Sequence, residues 1–418
     1  MVFRVKNGYC VREVKGTETH RGSMKFPIYL DCHSTTPVDP QVLEAMLPYF
    51  GADFGNASSK SHCFGWKAES AVEKSRERVA QLLGCSSKEI VFTSGATESN
   101  NFVLRGVAEK YKDQGKHIIT TQIEHKCILA TAEYLSKKGF EITYLPVDST
   151  GKIRLADLHA AIRPDTILIS VMAANNETGT VQPLAEIGAL AKANNVLFHT
   201  DAAQAVGKIP LHMNEMKIDL LSLSAHKFYG PKGVGAVYVR RKDPRVEPAA
   251  LLHGGGQENG FRSGTLNVPG IVGLGKAAEV AKSHLAEEVA KVSFLRDKLY
   301  HGLKERLGTV HLNGHETDRL PQSLNVSFPY VESDALVAGL KNIAISSTSA
   351  CMSAAAVPSY VLAAMGLPPE RIHGSVRFGL GRFTTEEEIV YTIDTVSQLV
   401  KSIQKNSPLY QLETEARN

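Results

Sequence analysis

The chain has 418 residues, 43% of them hydrophobic and 22% charged, with a formal net charge of +4. That length exceeds one simple core and suits two domains, and the composition is ordinary for a globular protein. So small a charge, with no basic run, gives no case for nucleic-acid binding, and no apolar stretch is long enough for a membrane helix.

Residues 1–26 are basic (Arg4, Lys6, Arg12, Lys15, Arg21 and Lys25 against Glu13 and Glu18). They lack the apolar core of a secretory signal and read either as a frayed N-terminal arm or as a weak organelle transit segment. Residues 28–31 predict a short strand. A turn through Pro37 and Pro40 leads into a helix. The spacing of Ala68, Ala71, Val72, Val79, Leu82 and Leu83 predicts a helix over 61–83, ended by Gly84. From there apolar runs of strand length alternate with amphipathic segments, the pattern of an α/β sheet.

Five of these strands end in polar or ionisable groups. Residues 90–93 run into Ser94-Gly95-Ala96-Thr97, and 117–121 into Glu124-His125. Residues 166–172 run into Asn175-Asn176-Glu177, and 196–200 into Asp201 and Gln204. Residues 220–223 run into Ser224, His226 and Lys227. Ligands of open α/β sheets bind outside the carboxyl ends of the strands. Each residue has a plainer reading: Asp201 as a loop carboxylate, Asn176 as a turn former, Lys227 as one more solvated lysine. Five such ends in succession favour one common polar site.

The run 253–258 is rich in glycine, but no Gly-x-Ser-x-Gly elbow accompanies it. Neither a dinucleotide nor a P-loop fingerprint occurs. Residues 271–307 predict a long helix, with Leu285, Val289, Val292, Leu295, Leu299, Leu303 and Leu307 at three- and four-residue spacing. Beyond it come a strand at 323–328, a helix at 334–340, a segment of small residues around Cys351, and a strand at 376–380. A Thr385…Glu388 capping box then opens the last helix. The six cysteines (Cys10, Cys32, Cys63, Cys85, Cys127 and Cys351) form no Cys-x-x-Cys pair, so reduced thiols and no metal site are expected.

A phosphate-bearing aldehyde cofactor suits these residues. Backbone N–H groups of the 94–97 turn and the Thr97 hydroxyl could hold a phosphate at a helix N-terminus. Lys227 could carry the aldehyde as an imine, Asp201 could pair with a protonated pyridine nitrogen, and His125 could stack on the ring and exchange protons. Pyridoxal 5'-phosphate has these needs, although strand-end residues can serve many ligands.

From about Pro27 to about Tyr410 the chain resembles the cysteine desulfurases of the NifS/IscS type. It is most similar to the housekeeping group that supplies iron–sulfur cluster assembly, in its mitochondrial-like branch. The motifs carrying the resemblance are 93–101, Glu124-His125-Lys126, Asn175-Asn176-Glu177, 201–204, 224–233, Arg262-Ser263-Gly264-Thr265, Ser349-Ala350-Cys351 and 377–384. The resemblance implies a fold-type-I transferase. Its large domain has a mainly parallel seven-stranded sheet, and a smaller α+β domain follows. The implied divisions are an arm at 1–26, a joining segment at 27–40, the large cofactor domain at 41–284 and the small domain at 285–418.

The resemblance also implies a homodimer that converts L-cysteine to L-alanine and leaves sulfur on Cys351 as a persulfide. Lys227 would be the Schiff-base lysine and His125 the ring-stacking proton carrier. Asp201 would pair with the pyridine nitrogen, while Gln204 and Asn176 lie near the ring oxygen and substrate. Ala96, Thr97, Ser224 and His226 would surround the phosphate, with Thr265 reaching in from the partner subunit. Arg377 would grip the substrate carboxylate. The implied partners are an iron–sulfur scaffold protein and other sulfur acceptors, with tRNA thiolation as a further outlet and room for an accessory subunit. The implied compartment is the mitochondrion or a derived organelle, or the cytoplasm of a bacterium.

Four positions depart from the family pattern: Thr348 for glycine, Met352 for threonine, Ala225 for glycine and Ser34 for alanine. None is expected to touch a catalytic group. The chain also ends at Asn418, short of the tail by which many relatives contact the scaffold. Selenocysteine lyase, an aminotransferase and a silent assembly subunit are the competing readings; retention of Lys227, Asp201, His125, Cys351 and Arg377 argues against the last.

Overall fold

A computed structural model gives the architecture and describes residues 3–6, 9–12, 24–347, 358–408 and 410–412. Seven strands form the larger sheet: β1 (Ile90–Thr93), β2 (His117–Thr121), β3 (Glu141–Leu145), β4 (Thr166–Ser170), β5 (Leu197–Asp201), β6 (Leu220–Ser224) and β7 (Gly235–Val239). Their order is β1-β7-β6-β5-β4-β2-β3. Only β7 runs antiparallel to its neighbours. Strands covered on both faces need apolar residues throughout, and β1, β2, β4, β6 and β7 are buried along their whole length.

Helices α1 (Cys63–Leu83), α2 (Ala96–Tyr111) and α3 (Lys126–Ser136) supply that cover. Phe102, Val107, Ile128 and Leu135 of α2 and α3 share one core with Val91, Ile118 and Leu168 of the sheet. Ala68, Val72, Val79 and Leu83 of α1 join a second core with Phe92, Ile119 and Phe198 on the other face.

A smaller antiparallel sheet has the order β8 (His311–Asn313), β9 (Ser323–Ser327), β11 (Ser375–Gly379), β10 (Ser346–Ser347). Its core contains Leu324, Val326, Val376 and Phe378 with Ile389, Val396 and Val400 of the last long helix. One 40-residue helix, α4 (Val268–Leu307), serves both units. Its first half (Ile271, Leu274, Ala278) packs into the large core, and its second half (Val292, Leu295, Leu299, Leu303) into the small one. At 1.5 Å per residue such a helix is about 60 Å long, enough to cross both.

The segment after Phe26 also crosses between them. Ile28–Tyr29 pairs in parallel with Ile343–Ala344. The chain then donates from Thr36 N to His226 O and from Asp39 N to Tyr229 O. This threads residues 31–39 directly past the Lys227 turn. Among the described residues no helix is long and apolar enough to cross a membrane.

Candidate active site

Because β1, β2, β4, β5 and β6 point the same way, their carboxyl ends share one edge of the sheet. A cavity of about 530 Å³ opens there, lined by the turns that follow these strands, by His33 and Ser34 of the crossing segment, and by Arg377 of β11. Ala96, Thr97, His125, Asn176, Asp201, Gln204, Ser224, His226, Lys227 and Arg377 all border it. Thr265 does not; it is exposed on the loop before α4. Cys351, Thr348 and Met352 lie outside the described residues.

Lys227 ends the short turn Ala225–Lys227 that follows β6. Its Nζ donates to the carbonyls of His33 and Ser34 at 2.5 and 3.0 Å, so the crossing segment fixes the amine at the cavity wall. Tyr229, two residues on, adopts a left-handed backbone (φ 68°), unusual for a large side chain. The conformation is held by Tyr229 N donating to Thr36 Oγ1, by Asp39 N donating to Tyr229 O, and by stacked cations of Lys208 and Arg382.

Asp201 closes β5. Its Oδ2 accepts from Asn100 Nδ2 at 2.7 Å and its Oδ1 from the Ala203 N–H at 3.0 Å. His125 caps the N-terminus of α3: its Nδ1 accepts the Cys127 N–H, which leaves the ring proton on Nε2. Burial lowers its pKa, and Lys227 and Lys126 lower it further, against the pull of Asp201. Burial, with Lys227 and Lys232, takes His226 down to about 4, so its imidazole is neutral near pH 7. Its Nδ1 meets Thr35 Oγ1 at 3.0 Å.

Arg377 is 5% exposed. Its terminal nitrogens donate to Asn176 O, Asp31 Oδ1 and Ser34 Oγ at 2.8, 2.9 and 3.0 Å. Among the described residues its Nε has no partner, nor has Asn176 Oδ1. The turn-forming role belongs to the neighbour: Asn175 Oδ1 accepts from the N–H groups of Glu177 and Thr178. Asn176 is therefore spared for the cavity. The Ser34 contacts correct the expectation that the departures avoid catalytic groups. Ser34 touches both Lys227 and Arg377, because the crossing segment passes between them.

At the other end of the cavity, α2 begins without a side-chain cap, so its first N–H groups face the opening. The N-cap, Gly95 (φ 149°), packs so closely on β7 that a Cβ at Gly235 would come within 2.7 Å of Gly95 Cα. Glu98 in the first turn accepts from Ser94 N and pairs with Arg262. Burial alone would raise its pKa, but those hydrogen bonds outweigh it and hold the carboxyl low.

Several contributors are not evident from sequence. His33 is buried and pairs with Gln204: its carbonyl accepts Gln204 Nε2 at 3.0 Å and its Nδ1 lies 3.3 Å from Gln204 Oε1. Gln204 thus lines the cavity with its amide engaged by His33. Cys127 lines the cavity beside His125, and Asn100 stands behind Asp201. Glu124 is wholly buried and accepts from Thr121 Oγ1 and Met172 N; burial pushes its carboxyl up to about 8.

Pyridoxal 5'-phosphate fits these residues. The uncapped helix start offers donors to a dianion. Asp201 could accept from a ring N–H, Lys227 could supply the amine, and Arg377 Nε and Asn176 Oδ1, without partners among the described residues, leave polar capacity for a ligand.

A family model described as Aminotransferase class-V matches residues 28–391. The chain is 56% identical over 389 residues to cysteine desulfurase IscS of Anaeromyxobacter dehalogenans, covering 93% of this chain and 96% of that one. It is 52% identical over 391 residues to cysteine desulfurase of Homo sapiens, covering 94% and 85%. Among solved structures, a NifS-like protein superposes with a TM-score of 0.83 at 42% identity, covering 90% of this chain and 99% of that one. SspA in complex with cysteine superposes with a TM-score of 0.76 at 39% identity, covering 86% and 100%.

Proposed function

Since this chain belongs to the class-V aminotransferase family and is a pyridoxal-phosphate-dependent cysteine desulfurase, we propose that it converts L-cysteine to L-alanine with Cys351 as the sulfur acceptor. The substrate's C–S bond breaks, an S–S bond to Cys351 forms, and the substrate carbon gains a proton. The observation that carries the reading is the convergence of Lys227, Asp201, His125 and Arg377 on one cavity.

When bound, pyridoxal 5'-phosphate supplies an aldehyde for an amino group and a ring that accepts electrons. Lys227 is the residue proposed to hold that aldehyde. The α2 N-terminus with Ala96 and Thr97, and Ser224 and His226 across from it, would hold the phosphate. Thr265 is proposed to serve the partner subunit's site. Asp201, oriented by Asn100 and Ala203, would accept the ring N–H.

Arg377 presents a guanidinium already aligned by Asp31, Ser34 and Asn176 O, and would take the substrate carboxylate. Asn176 Oδ1 stands beside it as an acceptor. His125, neutral and with its proton on Nε2, can give or take a proton at that atom. The thiolate of Cys351 is the proposed nucleophile on the substrate sulfur.

Homodimer formation fits the exposed apolar side chains Leu43, Leu47, Phe50, Phe54, Phe64 and Trp66, a concentration of large hydrophobics between 43 and 66. An iron–sulfur scaffold is the proposed acceptor of the persulfide, in a mitochondrion or a bacterial cytoplasm.

The site reading is tested by visible absorption. The purified chain with cofactor should show a bound-cofactor band that cysteine changes, and Lys227→Ala should shift that band and abolish alanine formation. A Lys227→Ala protein with an unaltered band would overturn it.

A further inference from the structure

We propose that Asn100 and Cys127 form a hydrogen-bonded relay at the cavity wall that lowers the basicity of His125 and ties its orientation to that of Asp201. The inference rests on reading His125 and Asp201 as cofactor contacts. Asn100 lies in α2 and is fully buried. Its Nδ2 donates to Asp201 Oδ2 at 2.7 Å and to Cys127 Sγ at 3.1 Å. Cys127 Sγ lies 3.0 Å from His125 Nδ1.

The hydrogen-bond partners suggest the donors along this relay. His125 Nδ1 already accepts the backbone N–H of Cys127 at 3.2 Å, so it carries no hydrogen of its own. The hydrogen available between Sγ and Nδ1 is the thiol's, which shares that acceptor with the backbone N–H in a three-centre bond. Asn100 uses one amide hydrogen on the carboxylate and the other on sulfur. The sulfur donates its hydrogen onward to the imidazole, whose remaining proton is on Nε2. Three elements meet in the chain: α2 through Asn100, the start of α3 through Cys127 and His125, and the end of β5 through Asp201.

The charges around the pair agree with these roles. Burial, with Asp201 and Glu124, pushes the Cys127 thiol up to about 12, against a lowering contact from Asn100. The sulfur thus remains a donor through neutral pH and is poorly suited to compete with Cys351 as a nucleophile. The titratable groups facing His125 are Asp201, Lys227 and Lys126, and those facing Cys127 are Asp201 and Glu124. A thiol donated to Nδ1 favours the neutral ring, in the same direction as the lowering of His125 by burial and by the two lysines. Cys127 and Asn100 are positioning residues, since they act through His125 and Asp201.

The test is ¹⁵N NMR of the His125 imidazole in the full-length, cofactor-bound chain, titrated with pH for wild type, Cys127→Ala and Cys127→Ser. Wild type should show the Nε2–H tautomer. Cys127→Ala should keep that tautomer, because the backbone N–H of residue 127 remains, and should raise the imidazole midpoint by about half to one pH unit, the scale of one lost hydrogen bond. Cys127→Ser should restore the midpoint, because a hydroxyl can donate in the same place. An unchanged midpoint in Cys127→Ala would overturn the relay, and so would a Cys127→Ser protein that behaves like Cys127→Ala. A His125→Ala protein whose bound cofactor keeps the wild-type spectrum would instead count against His125 as a cofactor contact, which separates the two failures.

Discussion

Arg377 has what the proposed grip on a substrate carboxylate requires. Its charge is buried, its terminal nitrogens are oriented by Asp31, Ser34 and the Asn176 carbonyl, and its Nε has no partner among the described residues. Lysine cannot reproduce that fork, so Arg377→Lys should raise KM for cysteine and lower kcat/KM by about 10–100-fold, measured by alanine formation. Glu124 makes a second prediction. Burial raises its carboxyl from 4.5 to about 8, so the folded chain keeps a proton that the unfolded chain has lost. Its contribution is therefore fully present below about pH 4.5 and is lost as pH rises through about 8. Glu124→Gln keeps an acceptor for Met172 N and Thr121 but removes the titration. Denaturation from about pH 5 to about pH 9 should show the variant gaining on wild type with rising pH, by on the order of a few kcal/mol. The strand-end residues Lys227, Asp201, His125 and Asn176 were legible in sequence because each follows an apolar run. His33, Asn100 and Cys127 were not, because each acts by contacting a residue brought beside it by the fold. Asn100 meets an aspartate 101 positions away, and Gln204 meets a histidine 171 positions away.

Elements whose burial is uniform were read well, and edges were not. α1 begins at Cys63 rather than 61 because His62 is its cap. α4 begins at Val268 rather than 271 because Asn267 caps it, with Pro269 accommodated in the first turn, where a missing N–H costs nothing. β3 leaves no such signal: it is an edge strand, and unlike β1 at the opposite edge it exposes Glu141 and Tyr144, which breaks up any apolar run. The anchoring of the loop before α4 was equally hidden. Glu258, left-handed at φ 51°, accepts both terminal nitrogens of Arg76 at 2.7 and 2.8 Å and also the Phe92 N–H. This pins the loop that leads to Arg262 and Thr265 onto α1 and β1. Glu258→Gln would leave the buried Arg76 charge with only the more exposed Glu73, 3.2 Å from its Nε, and should lower stability in urea denaturation by about 3 kcal/mol.

At the scale of the molecule, the large and small units are joined by α4 and by the crossing segment, and the cavity lies where that segment meets the large sheet. The junction is also charged. Lys208 Nζ pairs with Glu288, Glu288 with Arg382, and Arg382 with Asp39, at 2.7 to 3.0 Å, all largely buried. This network links the large sheet, α4, the crossing segment and the segment after β11, so the position of Arg377 is tied to that of Lys227 through more than one path. The α/β class was legible from alternating patterns. Which strands pair, and that residues 28–39 cross the site, are consequences of long-range packing that no local pattern records. Sulfur is proposed to leave cysteine at this site and to pass through Cys351, and simultaneous measurement of alanine and sulfide under reductant, for wild type and Cys351→Ala, decides the matter. Wild type should give equal molar yields of the two products, and cofactor-bound Cys351→Ala protein should turn over at least about 100-fold more slowly, as for the loss of a nucleophile. Sulfide and alanine released by Cys351→Ala at the wild-type rate would contradict it.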